Sequence, residues 1–351
     1  MKYKATALTP VLAGGGRELS PVDYMVWKDQ VNVLDQARIF RLLSRGPRLE
    51  GYLTQLRKAT KLDFASWGGF AQNFSQRRIP FEDPECTAVW NAAPSESLFI
   101  PTFTADYRGP YLPASALKGA LRTGLVFSRW SAETMERVAA SLEGDRIPRR
   151  VSESAEAASG ASQVRMLAAG DSEPVDRSTF KIYLSRVASL DTRQAGKIQL
   201  AWKVAGRGSV PPQRMMDSTP SFAEMAVPGT SFSGDWEERV FVESEHVRRD
   251  LGWRSPVSLE SLVAGANEFA GAQLNLHARY ADVTGMGALG QTVQRLKAQL
   301  EEARSSSLSC LLCVGWGGGF VSKAGFLDTE AASHRKVLRS IPGIGRSIRE
   351  G

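Results

Sequence analysis

The alternation of apolar and polar positions predicts strands and helices in turn along the first third of the chain. Residues 2–7 alternate with the two-residue period of a strand that has one face in water. Residues 24–27 and 31–34 are apolar runs around a short polar segment, which predicts a β-hairpin. Asp35 precedes apolar positions at helical spacing, and since aspartate favours helix starts, we expect a helix after it.

The second half of the chain shows strand patterns first and helical patterns later. The strand patterns lie at residues 180–184, 198–202, 222–227 and 230–234, the last two around a Pro-Gly turn. Helical patterns follow at residues 258–280 and 292–304, and residues 310–314 are an apolar run that predicts a buried strand. The chain as a whole is therefore expected to be α+β.

One predicted helix combines an apolar face with a row of cations. Pro113 cannot continue a helix backwards and Ser115 can accept from a first-turn amide, so we expect the helix to begin there. Its apolar face comprises Leu117, Ala120, Leu121, Gly124 and Leu125. A separate face carries Lys118, Arg122 and Arg129. The segment fits an ordinary amphipathic helix with solvated basic residues, and it also fits a surface that binds an anion.

The start of this helix has features of a phosphate site. Free first-turn amides and the positive end of the helix dipole at Ser115 favour an anion, and Lys118 and Arg122 add charge. Gly119 costs about 0.8–1 kcal/mol relative to alanine inside a helix, unless a neighbour approaches the backbone closely. That neighbour is either RNA or a packed strand.

Two glycine runs are further candidates for holding a phosphate chain. Gly14, Gly15 and Gly16 follow the first strand, and Gly317 and Gly318 lie in the run 315–319, shortly before Lys323. Glycines permit left-handed dihedral angles and close backbone approach, which a phosphate-binding loop needs and which an ordinary tight loop also uses. Neither run has the Gly-x-x-x-x-Gly-Lys-Ser/Thr motif of a nucleotide-binding loop.

Residues 64–78 mix aromatic residues with cations, including Arg77 and Arg78, and have no clean period. Such a segment suits a loop that stacks on bases and neutralises phosphates, and it equally suits a loop whose aromatics anchor it to the core. Both interpretations remain open.

Length and charge indicate two domains, of which the first is basic. We expect domains at 1–150 and 176–330, a linker at 151–175 where the composition becomes small and polar, and a basic tail at 331–351. The net charge is +7, and residues 1–150 hold 21 Lys/Arg against 15 Asp/Glu. An anionic partner such as nucleic acid is therefore expected on the first half.

The sequence offers little support for catalysis, a metal site or a cofactor. Cys310 and Cys313 have metal-like spacing but lie in the apolar run, where we expect core residues. The three histidines, at positions 246, 277 and 334, show no metal-ligand spacing. Asp23 favours a local turn bond over a catalytic role. No segment reads as a signal peptide or a membrane span, so a cytoplasmic protein is expected.

Four stretches together resemble the RAMP superfamily of CRISPR proteins, and within it the family of fifth Csm subunits of type III-A complexes. They are residues 8–24, residues 111–122, residues 228–232 and the glycine run with Ser322 and Lys323. The sequence departs from the family pattern at Leu12, which replaces a histidine, and at Ala114 and Ala116, which replace Gly and Ser. Lys118, Gly119 and Arg122 retain the pattern.

The resemblance implies two ferredoxin-like, RNA-recognition-type domains with a C-terminal glycine-rich loop. It implies a non-catalytic subunit that binds guide RNA (crRNA), caps the 3′-end side of a backbone filament, contacts the neighbouring backbone subunits and supports crRNA maturation, with a host trimming nuclease as a further partner. The candidate RNA-binding residues are Gly14, Gly15, Gly16, Arg77, Arg78, Ser115, Lys118, Gly119, Arg122, Gly317, Gly318 and Lys323. Two alternatives stay open: a metal-independent repeat-RNA endoribonuclease of the same superfamily, and a purely structural filament cap.

Overall fold

The computed structural model describes residues 1–58, 71–141, 161–191, 198–205, 211–239, 244–253, 257–319 and 322. The chain is α+β, as the sequence predicted. Its strands are β1 (Lys2–Thr6), β2 (Gly14–Leu19), β3 (Tyr24–Val26), β4 (Gln30–Leu34), β5 (Ser75–Pro80), β6 (Ile100–Phe103), β7 (Leu167–Ala169), β8 (Phe180–Ser185), β9 (Ala188–Asp191), β10 (Gln199–Trp202), β11 (Ser221–Ala226) and β12 (Ser231–Glu238). Its helices are α1 (Gln36–Leu43), α2 (Leu49–Lys58), α3 (Ala71–Phe74), α4 (Cys86–Ala92), α5 (Ala114–Ser128), α6 (Ala132–Ser141), α7 (Glu245–Asp250), α8 (Leu259–Thr284) and α9 (Gly287–Arg304).

The strands form small antiparallel sheets. Two sheets have three strands, in the orders β1-β12-β7 and β3-β4-β5, and three pairs are β2-β6, β8-β11 and β9-β10. The predicted hairpin β3-β4 turns at Lys28 and Asp29, which both have positive φ as a type I′ turn requires. Strands β11 and β12 flank the Pro-Gly turn but pair with other strands, not with each other. No four-stranded ferredoxin-like sheet occurs among the described residues, and the two-domain ferredoxin-like prediction stays an expectation.

The chain divides into two compact units that are interleaved in sequence. Unit 1 contains residues 1–3, 113–172 and 233–351, and unit 2 contains residues 4–112 and 173–232. This division differs from the expected domains at 1–150 and 176–330, because contacts join segments that are far apart in sequence. Within the expected linker, residues 161–166 form a 3-10 turn and Leu167 in β7 is fully buried, while residues 151–160 and the basic tail lie outside the described residues.

Unit 2 has a core rich in aromatic side chains. Tyr24 and Trp90 lie in this core, where the Trp90 indole donates to the Tyr24 hydroxyl at 3.0 Å and that hydroxyl donates to the Leu98 carbonyl at 2.7 Å. These bonds satisfy the polar atoms of two large buried rings. A second cluster packs helices α1 and α2 against Phe74, and Asp35 caps α1 by accepting from the Arg38 amide at 2.9 Å.

Unit 1 is built on direct contact between α5 and α8. A Cβ atom added at Gly124 would lie 2.6 Å from the Cα and N of Ala266, so the backbones touch at this crossing. Leu121 and Leu125 pack beside it against Leu262, as the predicted apolar face requires. Helix α9 folds back along α8, and its Val293 and Leu300 pack against Ala270 and Leu274.

Candidate RNA-binding site

Helix α5 begins one residue before the predicted position. Pro113 is the cap residue and makes no side-chain cap bond, so Ser115 lies inside the first turn as an exposed residue and is not the cap. The Ala114 amide donates to Asp171 Oδ1 at 2.8 Å. The first amide of the expected phosphate site is therefore occupied by a carboxylate, which also brings negative charge to the helix start.

The cations of α5 are presented one turn apart, as predicted. Lys118 is half-buried and Arg122 is exposed. Burial of the ammonium group lowers the pKa of Lys118, and the positive charge of Arg239 lowers it further. Arg239 is exposed just beyond β12, where its amide donates to the Met166 carbonyl at 2.7 Å. An anion bound here would relieve the repulsion between these two like charges.

Gly119 leaves an opening on the same helix. Apart from its chain neighbours and the backbone of its own helix, no atom of the described residues lies within 4 Å of a Cβ built at Gly119, in contrast to the backbone contact at Gly124. No strand among the described residues therefore packs close enough to explain a glycine at position 119. The helix backbone beside Lys118 is accessible to a ligand.

The C-terminal glycine run forms a succession of left-handed turns. Gly315, Gly317 and Gly319 have φ values of 87°, 90° and 65°, which suit glycine because it lacks a Cβ. Space beside Gly317 is open, while Gly318 lies close to Ser322. Trp316 is exposed, and Lys323 falls outside the described residues.

Asn267 holds the segment that leads into this glycine run. Its buried side chain in α8 donates from Nδ2 to the Ser309 carbonyl at 2.9 Å and accepts from the Leu311 amide at Oδ1 at 3.0 Å. The amide thus supplies the two bonds that a neighbouring strand would supply. The prediction of a strand at residues 310–314 is wrong, because this segment joins no sheet within the described part of the chain.

The two cysteines of this segment differ in environment. Cys310 is half-buried, and burial raises the pKa of its thiol to about 11. Cys313 is exposed, so the expectation of a core residue is wrong at that position. Among the described residues, no group of three or more His, Cys, Asp and Glu side chains is placed to hold a metal ion.

The first glycine run is part of a strand and not a loop. Gly14 begins β2 opposite Phe103 of β6, and the register shifts between Gly14 and Glu18. Gly16 has a φ of 78°, which accommodates this irregularity. Gly14, Gly15 and Gly16 are exposed, and their contact with RNA stays a prediction.

Arg77 and Arg78 point in different directions from β5. Arg77 forms a bidentate pair with Glu224, whose side chain is fully buried, with an Nη1 to Oε2 distance of 3.1 Å. Burial, together with the charge of Arg177, lowers the pKa of Arg77 to about 10. This pair gives Arg77 a structural role, and its contact with RNA stays a prediction. Arg78 is exposed, and residues 59–70 of the aromatic segment lie outside the described part.

The candidate acid and base groups are engaged locally or exposed. Asp23 Oδ2 accepts from the amide of Ser20 at 2.7 Å and from its hydroxyl at 2.6 Å, which is the predicted turn bond. His246 and His277 lie at exposed positions on α7 and α8. His334 falls outside the described residues.

Of the candidate residues that the structure describes, six lie in unit 1 and five in unit 2. Ser115, Lys118, Gly119 and Arg122 share one helix of the unit that also contains the second glycine run. Sequence reasoning missed Asn267, Asp171 and Arg239. Only Asn267 carried a signal, as a polar residue within an apolar helical pattern. The other two approach α5 from distant segments.

Comparisons with known proteins agree with this architecture. The sequence profile of the RAMP superfamily matches residues 4–322, and the chain belongs to that superfamily. Its fold is similar to that of Csm5: the crystal structure of T. onnurineus Csm5 matches with a TM-score of 0.60 and 18% identity, over 90% of each chain. A chain of the cryo-EM Csm–crRNA–target RNA ternary complex of a type III-A CRISPR-Cas system matches with a TM-score of 0.54 and 18% identity, over 93% of this chain and 87% of that one.

No curated protein sequence matches the chain. No helix in the described ranges combines the length and the hydropathy needed to cross a membrane.

Proposed function

We propose that this chain is a cytoplasmic crRNA-binding subunit of a type III-A CRISPR effector complex, that it caps the 3′-end side of the backbone filament, and that it does not cleave RNA. Membership of the RAMP superfamily and the Csm5-like fold support this function. The observation that carries it is the surface of α5, where Lys118 and Arg122 lie beside the open backbone of Gly119.

The mechanism is attraction to the sugar-phosphate chain without base reading. Lys118, Arg122 and Arg239 neutralise phosphates, and Gly119 lets the strand approach the helix. The backbone at Gly317, which has open space beside it, offers a further contact for the RNA strand. Phosphate contacts fix the position of a strand without reading its sequence, so guides of different sequence bind alike.

The proposed subunit is non-catalytic. Asp23 is held by Ser20 in a local turn, which favours a structural role for this carboxylate. Incubation of the isolated protein with labelled repeat RNA is expected to leave the RNA intact. Specific cleavage in the absence of metal would instead identify the endoribonuclease alternative.

The proposal extends to partners and to maturation. The two units correspond to diverged ferredoxin-like domains, the neighbours are backbone subunits of the complex, and a host nuclease trims the crRNA 3′ end. Sequencing of crRNA from complexes with and without the subunit tests maturation. We expect longer 3′ ends in its absence.

The test of the RNA surface is a salt titration of single-stranded RNA binding. The double variant Lys118→Ala/Arg122→Ala removes two phosphate contacts. The negative slope of the logarithm of the binding constant against the logarithm of salt concentration should therefore become shallower by about 1.4. The matched control is Arg295→Ala/Lys297→Ala, which removes the same charge from α9 of the same unit. Equal slopes in both double variants would exclude this helix from the RNA interface.

A further inference from the structure

The turn before α5 displays an aromatic side chain almost entirely to solvent. Tyr107 is 92% exposed, more than any other large apolar or aromatic residue in the described part, where Met216 follows at 67%. It lies in unit 2, on the connection between Ala105 and Pro110. A ring in this position contributes little to the core.

The turn that carries Tyr107 is well ordered by its own hydrogen bonds. Asp106 Oδ1 accepts from the amides of Arg108 and Gly109 at 2.8 and 3.1 Å, and the Asp106 amide donates to the Gly109 carbonyl at 3.1 Å. At its base, the Pro110 carbonyl accepts from the Val175 amide at 2.8 Å. A partner that binds this ring therefore does not need to order the loop, which reduces the entropic cost of association.

The charges around the ring do not favour a polyanion. The Arg108 guanidinium lies 5.9 Å from the Tyr107 ring centre, and both its Nε and Nη2 atoms are 3.0 Å from Asp106 Oδ2. The hydrogen bond to Asp106 raises the pKa of Arg108, and the exposed Glu173 contributes to the same shift. Asp106 thus compensates the charge of Arg108 at the tip, so the ring has no uncompensated arginine beside it to attract RNA phosphates.

A protein surface is the better match. Tyrosine and arginine dominate the binding energy of protein interfaces, where a central ring enters an apolar pocket. We propose that Tyr107 anchors this chain to the neighbouring backbone subunit of the complex, by entering an apolar pocket on that subunit. This inference rests on the proposed function and adds the residue through which the filament contact is made.

The test compares Tyr107→Ala, Tyr107→Phe and the wild-type chain for binding to the purified backbone subunit. We expect Tyr107→Ala to bind about 30-fold more weakly, because removal of a hot-spot side chain has effects of that size. Tyr107→Phe keeps the ring and should stay within about 3-fold of wild type. Met216→Ala, which truncates another exposed side chain of unit 2, should bind as wild type does.

Binding of single-stranded RNA, solution mass and thermal unfolding complete the experiment. All variants should unfold as wild type does and bind RNA equally well. Equal subunit binding by Tyr107→Ala and wild type would overturn the anchor and leave the proposed function intact. Loss of RNA binding in Tyr107→Ala would make the ring a base-stacking group and overturn the anchor as well. Self-association that depends on Tyr107 would show that its partner is a second copy of this chain, and would overturn the anchor to the backbone subunit. A wild-type chain that binds neither the backbone subunit nor RNA would refute the proposed function itself.

Discussion

Replacement of Gly119 by alanine should separate stability from RNA binding. Alanine is about 0.8–1 kcal/mol more favourable than glycine inside a helix. Beyond its chain neighbours and its own helix backbone, the new methyl group meets no described atom within 4 Å. We therefore expect the free energy of unfolding to rise by about that amount. For a unit of this size the melting temperature should rise by about 2–4 °C.

RNA binding should change in the opposite direction. If the sugar-phosphate chain packs on α5 beside Lys118, the added methyl group occupies space that RNA atoms need. Overpacking by one carbon typically costs 1–3 kcal/mol, so a tenfold loss of affinity, or about 1.4 kcal/mol, is expected. Titration of labelled single-stranded RNA, alongside thermal unfolding, measures both effects.

The matched control is Gly124→Ala, which adds the same methyl group one and a half turns further along the helix. There the Cβ would lie 2.6 Å from Ala266 backbone atoms, so we expect the free energy of unfolding to fall by about 1–3 kcal/mol. A more stable Gly119→Ala protein with unchanged RNA affinity would refute the close approach of RNA to this helix.

Three further substitutions test the contacts that support the site. Glu224→Gln should lower the free energy of unfolding by about 3–5 kcal/mol, because it leaves Arg77 buried without its counter-charge. Urea denaturation measures this change. The double variant Arg77→Met/Glu224→Leu should lose less stability, because it leaves no unpaired charge. Asn267→Asp removes the donor to the Ser309 carbonyl, so Cys310 should react faster with a thiol reagent at pH 8. The exposed Cys313 should react at its wild-type rate. Equal Cys310 rates in the variant and the wild type would contradict the role of Asn267 in holding this segment. Asp171→Ala should lower helix stability by about 1 kcal/mol and strengthen RNA binding, since it removes a cap and a negative charge, and weaker RNA binding in the same titration would contradict this account.

The elements that the sequence predicted correctly depend on neighbours close in the chain. The hairpin β3-β4, the Asp35 cap and the apolar face of α5 follow from local spacing and turn chemistry. The RAMP assignment came from short motifs in the right order, and the superfamily profile confirms it.

The features that sequence reasoning missed depend on distant contacts. Glu224 is 147 residues from Arg77, so nothing in the local sequence predicted the ion pair between them. An apolar run such as 310–314 fits a segment that packs against a helix as well as it fits a strand. The hydrogen bonds to the Asn267 side chain show that this segment packs against α8. Asp171 likewise reaches the start of α5 from 57 residues away.

The interleaved course of the chain has a consequence for biosynthesis. The polypeptide passes between the two units after Tyr3, Leu112, Ser172 and Phe232. A ribosome must therefore synthesise nearly two thirds of the protein before unit 2 is complete, and unit 1 needs helices α8 and α9, which emerge later still. Neither unit can therefore fold completely as an N-terminal domain during translation. For the same reason, no single proteolytic cut releases either unit intact.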